Sequence, residues 1–256
     1  MFAGGADGKS VLGYRADTGE LAWAAGEGLF SYCSLQPARL CGVEQLVIAT
    51  ERGLTAFAPA KGGVLWEYKW LVEGINRVAQ PAIVGDSDVL IGTSLGQGTR
   101  RVHLQHGSGA GLSARTNPTD DRAGAEARTT GEWTVEVVWS TRAIKPYFND
   151  FVIHGGFLYG FDNNFLTCVS LEDGKGKWRT EGYGNGQILL LADQGLLLVL
   201  SEKGEAALVD AVPEGHQERA KIQAIQGKTW NHPVIARGKL FVRNGEEAAC
   251  YELAAR

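Results

Sequence analysis

The sequence predicts an all-β chain, a β-propeller of four-stranded antiparallel blades, and three observations carry that reading. Glycine is over-represented, at 35 of 256 residues, about twice its usual share and without a collagen period, as many tight turns between short strands require. A unit of about 40 residues recurs along the chain. Within each unit, four short apolar stretches alternate with Gly-bearing turns, the pattern of a propeller blade.

The period is read from tryptophans. YRADTGELAW ends in Trp23, FAPAKGGVLW in Trp66 and VSLEDGKGKW in Trp178, and a glycine stands four residues before each: Gly19, Gly62 and Gly174. Trp23 and Trp66 are 43 residues apart, and Trp139 and Trp178 are 39 apart. Trp66 and Trp139 are 73 apart and therefore enclose an insertion of about 30 residues. Pro37 and Pro81, 44 apart, give the same period in a second register. Asp17-Thr18-Gly19 fits a type I turn closed by a glycine at positive φ, so strands three and four form a hairpin with the tryptophan at a fixed offset. From that offset Trp23, Trp66, Trp139 and Trp178 are expected to pack against the neighbouring blade as structural anchors.

Counting from these anchors gives one domain of six blade units: a partial one at about 1–28, full ones near 29–73, 74–142, 143–181 and 182–226, and a partial one at 227–256. In the second, the four strands read PARLCG, QLVIAT, GLTAFAPA and GVLWEYKW. The third carries the insertion, about 105–132, which has few apolar residues and both charge signs and is expected to be a solvated excursion between strands three and four. The fifth has lost its tryptophan, its fourth strand falling around Gln217 to Ile222. The first unit lacks a first strand and the last a fourth. Ring closure therefore leads us to expect the C-terminal part of a longer propeller, with two or three blades preceding Met1.

Composition narrows the function. A hydrophobic content of 44% supports a substantial core, while a net charge of −4 leaves no basic surplus for coating a phosphate backbone, so nucleic acid is not an expected partner. The longest apolar runs, Ile188 to Leu191 and Leu196 to Leu200, are too short to span a bilayer and are separated by Asp193. The start, Met1-Phe2-Ala3-Gly4-Gly5, does not read as a secretory signal. The four cysteines form no CxxC pair and read as buried free thiols, with Cys33–Cys41 pairing left open.

In a propeller the first strand of each blade lines the central channel, so the loops leading into those strands open onto one face. They supply Tyr32, then Asn76 and Arg77, then Tyr147, Asn149 and Asp150, then Tyr183 and Asn185, and finally Trp230, Asn231 and His232. An aromatic residue and an asparagine recur. Asparagine suits turns, and the same residues form a polar mouth suited to a peptide segment, a sugar or a flat organic ligand. Asp150 and His232 are an acid and a base only if the fold brings them together. Asp86-Ser87-Asp88 reads as a turn rather than a calcium loop, and Gly182 to Gly186 is followed by no helix that would bind phosphate.

The repeats YRADTGELAW, FAPAKGGVLW and VSLEDGKGKW resemble the tryptophan-docking repeats of PQQ-like propellers, the quinoprotein alcohol dehydrogenase-like superfamily. The ending GKTWNHPVIARGKLFVRNGEEAACYEL is similar to the final blade of such bacterial proteins. The resemblance implies a propeller of about eight blades and a periplasmic or otherwise exported location. It also implies one of several functions: dehydrogenases that use pyrroloquinoline quinone with calcium, the scaffold lipoprotein of the outer-membrane β-barrel assembly machinery, or exported proteins of other roles. The enzymes of the family carry adjacent cysteines, which this sequence lacks, so no catalytic, cofactor or metal residue is carried over. The resulting expectation is a non-catalytic binding or scaffold module without a cofactor, holding a protein partner or small ligand at the channel mouth. Its strand edges and its oligomeric state stay open. The alternative is a fragment of a quinone-dependent dehydrogenase.

Overall fold

The structure is a computed structural model and describes residues 2–6, 8–27, 31–72, 77–94, 96–107 and 132–253. They form six sheets in which spatial order follows chain order, so neighbouring strands are joined as hairpins. The first sheet is β1 (Phe2–Ala6), β2 (Lys9–Tyr14) and β3 (Leu21–Ala25); the second is β4 (Gln36–Leu40), β5 (Val43–Thr50), β6 (Gly53–Phe57) and β7 (Val64–Lys69). The third is β8 (Ala82–Val84), β9 (Asp88–Thr93), β10 (Gly98–His106) and β11 (Trp133–Thr141). The fourth is β12 (Val152–His154), β13 (Phe157–Asp162), β14 (Phe165–Ser170) and β15 (Gly176–Thr180); the fifth is β16 (Gln187–Leu191), β17 (Leu196–Leu200), β18 (Glu205–Asp210) and β19 (Glu218–Gln223). The sixth is β20 (Val234–Ala236), β21 (Lys239–Arg243) and β22 (Ala248–Glu252). Among the described residues the only helical turn is Ala192–Gln194. The chain is all-β, as the glycine content and the repeat required.

Two compact units divide the chain, residues 1–91 with 100–139 and residues 92–99 with 140–256, so the third sheet has residues in both. Residues 108–131, most of the insertion, lie outside the described residues, but the strands on either side of it are long, nine residues each. Next to the insertion His106 stacks on Trp133 with centroids 4.3 Å apart.

One hairpin geometry recurs in both units. The N–H of Gly19, Gly62 and Gly174 donates to the carbonyl four residues back, Arg15, Ala58 and Ser170, at 2.8–2.9 Å, and each of those three residues donates its own N–H across the turn to Glu20, Gly63 and Lys175. The three glycines have φ of 73°, 70° and 71°, a left-handed conformation that a side chain disfavours. Just before each turn the strand register slips by a bulge, and beyond it the tryptophan faces a small or slender partner: Trp23 opposite Gly13, Trp66 opposite Ala56 and Trp178 opposite Cys168.

In the first unit the Trp23 indole lies on the turn of the second sheet. Its Nε1 donates to Pro59 O at 3.0 Å, and a Cβ added to Gly62 would fall inside the ring. Trp66 is fully buried among Leu40, Leu54, Val102, Leu104 and Trp133, a core shared by the second sheet and this unit's part of the third. β10 and β11 are joined by the insertion rather than by a tight glycine turn, and Trp66 Nε1 instead donates to Gln45 Oε1 in its own sheet at 2.5 Å. In the second unit Trp178 Nε1 donates to Val212 O at 2.8 Å, in the longer β18–β19 connection that replaces the glycine turn. Ala220 occupies the tryptophan position of the fifth sheet, opposite Leu208, and every residue of β19 is exposed. All four cysteines are thiols, with Cys33 and Cys168 buried as expected but Cys41 only half-buried and Cys250 exposed. Cys33 Sγ lies 3.1 Å from Ala79 O and Cys41 Sγ lies 3.3 Å from Leu104 O, so backbone carbonyls take the place of the pairing left open by the sequence.

Two stability measurements test this packing. Gly19 has open space around a would-be Cβ, so Gly19→Ala is expected to cost only the backbone term of about 1 kcal/mol. Gly62→Ala adds the displacement of the Trp23 indole and should exceed it by about 1–3 kcal/mol in denaturant unfolding. Equal losses would show that the indole does not need the glycine. Trp66→Ala should cost about 3–5 kcal/mol, and a loss under about 1 kcal/mol would contradict its place in the core.

Candidate functional site

In the second unit three loops lead into first strands: 142–151 before β12, 181–186 before β16 and 226–233 before β20. A fourth segment, the β17–β18 turn Ser201-Glu202-Lys203-Gly204, ties two of them together. Gly204 closes this turn at φ 84°, with its would-be Cβ against the Ile225 carbonyl, so only glycine fits. Glu202 N–H donates to Tyr183 O at 2.8 Å, and Glu202 O accepts from Thr229 N–H at 2.9 Å.

The Glu202 side chain repeats the connection. Oε2 accepts from the Asn185 N–H at 3.2 Å and from its amide at 3.5 Å, while Oε1 accepts from Trp230 Nε1 at 2.8 Å. Lys228 Nζ stands 3.6 Å from Oε1. Burial pushes this carboxyl up, but the donors from Asn185 and Trp230 and the Lys228 charge outweigh it and hold the group below its ordinary value. Gly184, at φ 59°, permits the approach, since a Cβ there would sit 2.7 Å from Oε2.

Around this anchor lies an aromatic cluster. Trp230 and Phe148 have ring centroids 4.5 Å apart, Phe148 and Tyr147 5.2 Å, and Lys228 Nζ lies 3.8 Å from the Trp230 centroid. Trp230 and Tyr147 remain exposed. His232 Nε2 is 3.6 Å from Asp150 Oδ2, so the acid and the base come within reach of each other. Asn231, next to them in the chain, is half-buried. A shallow cavity of about 420 Å³ is lined by Glu202, Lys203, Gly227 and Lys228. Glu202 and Lys228 are paired with each other, as are Asp150 and His232, which leaves stacking surface and hydrogen-bonding edges as the main means of recognition.

Three residues placed by the sequence on the accessible face are buried instead, because the loops need internal donors and acceptors. Asn149 is fully buried: its Oδ1 accepts from the Tyr147 N–H at 3.2 Å and its Nδ2 donates to Gly186 O at 3.0 Å. Tyr183 is buried and donates its hydroxyl to Glu218 Oε2 at 2.7 Å, with His216 Nε2 at 2.9 Å; burial and the Glu218 carboxylate raise its pKa. Arg77, in the first unit, is fully buried, donates from Nη1 to Thr50 O and from Nη2 to Trp70 O at 2.7 Å, and lies 4.8 Å from the Trp70 ring centroid. Desolvation lowers its pKa to about 10. Tyr32, also in the first unit, is exposed and donates its N–H to Arg77 O at 3.1 Å. Asn76 lies outside the described residues.

Glu202 and Lys228 were not singled out by sequence reasoning, although a signal for the glutamate exists. Thr50-Glu51-Arg52-Gly53 and Ser201-Glu202-Lys203-Gly204 occupy the same turn between second and third strands, and in both the glutamate carbonyl accepts from the loop leading out of the sheet, from Val72 N–H at 3.1 Å and from Thr229 N–H at 2.9 Å. Elsewhere Asp88, read within a turn, opens β9 and is paired with Arg101 and with His103 at 2.5 Å. Among the described residues no group of three His, Cys, Asp or Glu side chains is placed to hold a metal ion.

Comparison with known proteins places this fold. The family model described as outer membrane protein assembly factor BamB matches residues 1–180. Among solved structures, the crystal structure of BamB from Moraxella catarrhalis is similar with a TM-score of 0.50 at 12% identity, over 93% of this chain and 77% of that one. A protein of unknown function from Bacteroides caccae has a TM-score of 0.46 at 12% identity over 90% of this chain and 76% of its own, and the computationally designed Ika8 has 0.44 at 7% over 92% and 75%. No curated protein matches the sequence. With six successive sheets of blade type and a match over well more than half of its length, the chain belongs to the family described as outer membrane protein assembly factor BamB, a family of PQQ-like β-propellers.

Proposed function

We propose that the chain is a non-catalytic scaffold that binds a segment of another protein through the Tyr147–Phe148–Trp230 cluster. The observation that carries this reading is the cluster itself: contiguous aromatic rings, two of them exposed, on a loop tied by Asn149 to Gly186 and a loop held by Glu202. Large aromatic side chains with one polar edge dominate protein interfaces, and loops already fixed before binding lose less entropy when the partner arrives. Family membership supports the reading, since the family is described as that of an assembly factor for outer membrane proteins. On the same ground we propose an exported, periplasmic location. Such a scaffold requires no quinone. The alternative is a fragment of a quinone-dependent dehydrogenase, which would need calcium held by hard oxygen ligands.

Binding is tested by measuring capture of outer membrane protein precursors by the wild type and by a Tyr147→Ala/Trp230→Ala variant. Affinity should fall by about 30-fold or more, the scale of a hot spot near 2 kcal/mol, while the fold loses only the Trp230–Glu202 bond, about 1 kcal/mol, and still melts cooperatively. Equal affinity would move the interface elsewhere. Tighter binding of a sugar or other small molecule, lost in the same variant, would replace the protein partner by that ligand. Visible absorbance and alcohol-dependent dye reduction on adding quinone and calcium would establish the dehydrogenase instead.

Acid titration separates the role of Glu202. A carboxyl held below its ordinary value of 4.5 contributes stability that is fully present above that pH and is lost as pH falls through the folded value. The stability gap between wild type and Glu202→Gln is therefore expected at neutral pH and should close on acidification below about pH 4.5. A gap that persists in acid would assign the loss to packing rather than to charge.

A further inference from the structure

The β17–β18 turn and the loop before β20 bring one carboxylate and one indole face together, and a lysine of the chain itself stands against both. Lys228 Nζ lies 3.8 Å from the Trp230 ring centroid and 3.6 Å from Glu202 Oε1. A π face and a carboxylate are the two kinds of group that attract a cation. They border the cavity of about 420 Å³ that Glu202, Lys203, Gly227 and Lys228 line. Among the described residues Lys228 is the cation paired with Glu202, while Lys203 is exposed to solvent.

Counting acceptors shows what this site lacks. A carboxylate offers about four acceptor positions. Oε2 of Glu202 fills two of them with the N–H and the side-chain amide of Asn185, and Oε1 fills one with Trp230 Nε1. Lys228 at 3.6 Å stands beyond hydrogen-bonding distance, so among the described residues one position on Oε1, beside the indole, has no donor. Both groups are fixed in advance: the indole is bonded to Glu202, and Trp230 O accepts from Gln187 Nε2 at 3.0 Å. The lysine is not fixed in the same way. Its side chain is 62% exposed, and an ion pair that long and that exposed contributes little, so Lys228 yields to a cation that fits better.

We propose that the Trp230–Glu202 site takes the guanidinium of an arginine in the bound segment, in exchange for Lys228. A guanidinium is flat and weakly hydrated, so it stacks on the indole while an N–H at its edge fills the open position on Oε1; an ammonium is a compact, strongly hydrated point charge and does only one of these well. The open position is an acceptor and the ring offers a π face, which together select a donor and reject a carboxylate or a phosphate at this point. The inference rests on the reading of the loop cluster as a protein-binding surface and names the side chain that surface selects.

The probe is Nα-acetyl-arginine amide, titrated into the full chain and followed by the Trp230 indole N–H resonance, which Trp230→Phe identifies by its disappearance. A saturable shift is expected, with a Kd on the order of 1–10 mM for a single side chain. Nα-acetyl-citrulline amide, of the same shape but uncharged, should bind about tenfold more weakly or less, and Nα-acetyl-lysine amide should fall between the two. Lys228→Ala should tighten arginine binding about threefold, because the competing cation is gone. An indole resonance that does not respond to arginine would overturn the proposal, as would equal responses to arginine and citrulline. So would a folded Lys228→Ala variant that binds arginine no more tightly than the wild type. Capture of precursor proteins through Tyr147 and Trp230 with no response to the arginine probe would overturn this proposal and leave the scaffold reading standing. Arginine binding without precursor capture would uphold the guanidinium site and overturn the scaffold reading alone.

Discussion

A tryptophan seated on a glycine is the contact on which the packing of the first sheet against the second depends. The Trp23 indole occupies the place a side chain at Gly62 would take, and Pro59 of the same turn accepts its Nε1 proton. One turn thereby serves two ends. Its left-handed glycine closes the β6–β7 hairpin, and the missing Cβ exposes a flat backbone surface and a free carbonyl to the preceding sheet. Burying a ring of this size removes about 150–250 Å² from water, and the directional N–H bond fixes the offset at which two sheets meet. Spacing between glycine and tryptophan must then stay constant along the sequence, which is why the repeat is visible at all.

Departures from that device show what it does. Where β10 and β11 are joined by the insertion, Trp66 stays buried but turns its proton to Gln45 in its own sheet. Where the β18–β19 connection is longer, Val212 still offers a carbonyl to Trp178, and His216 of that connection meets the indole edge-on with centroids 5.9 Å apart. Packing of the ring, complete for Trp66 and partial for Trp23 and Trp178, is thus kept by three different polar arrangements. Satisfying one indole N–H is worth about 1 kcal/mol, whereas emptying the ring's place costs several times more, so the partner of the proton is free to vary while the ring is not.

The fold was legible because its determinants are local. Glycines 19, 62 and 174, the tryptophans four residues on, and the short apolar runs of strands such as β5 and β13 are all read within a window of ten residues. Candidate site residues are set by a different kind of term. Whether Arg77 points outward or donates to Thr50 and Trp70 depends on which carbonyls the surrounding loops leave without donors, and those loops lie up to 27 residues away in the chain. Asn149 and Tyr183 went the same way, to Gly186 and to Glu218. Conversely Glu202, an ordinary turn glutamate by sequence, becomes central only when Asn185 and Trp230 arrive from either side. The recurrence of Glu51 and Glu202 in the same turn was the one local clue.

This division of labour explains where recognition can reside. Most strands commit side chains to neighbouring sheets, and the turn whose Gly62 seats Trp23 is committed too. What remains adjustable is the set of loops leading into first strands, whose ends are fixed by the sheets and whose middle is fixed by one carboxylate. Glu202 accepts from Asn185 and from the Trp230 indole while its own main chain bonds Tyr183 and Thr229, so the 181–186 and 226–233 loops keep three of their ties when Trp230 is replaced, and Tyr147, on the third loop, takes part in none of them. Recognition and folding are in this way held largely by separate residues. A surface of that kind can change its partner by substituting Tyr147 or Trp230 without re-deriving the packing beneath it.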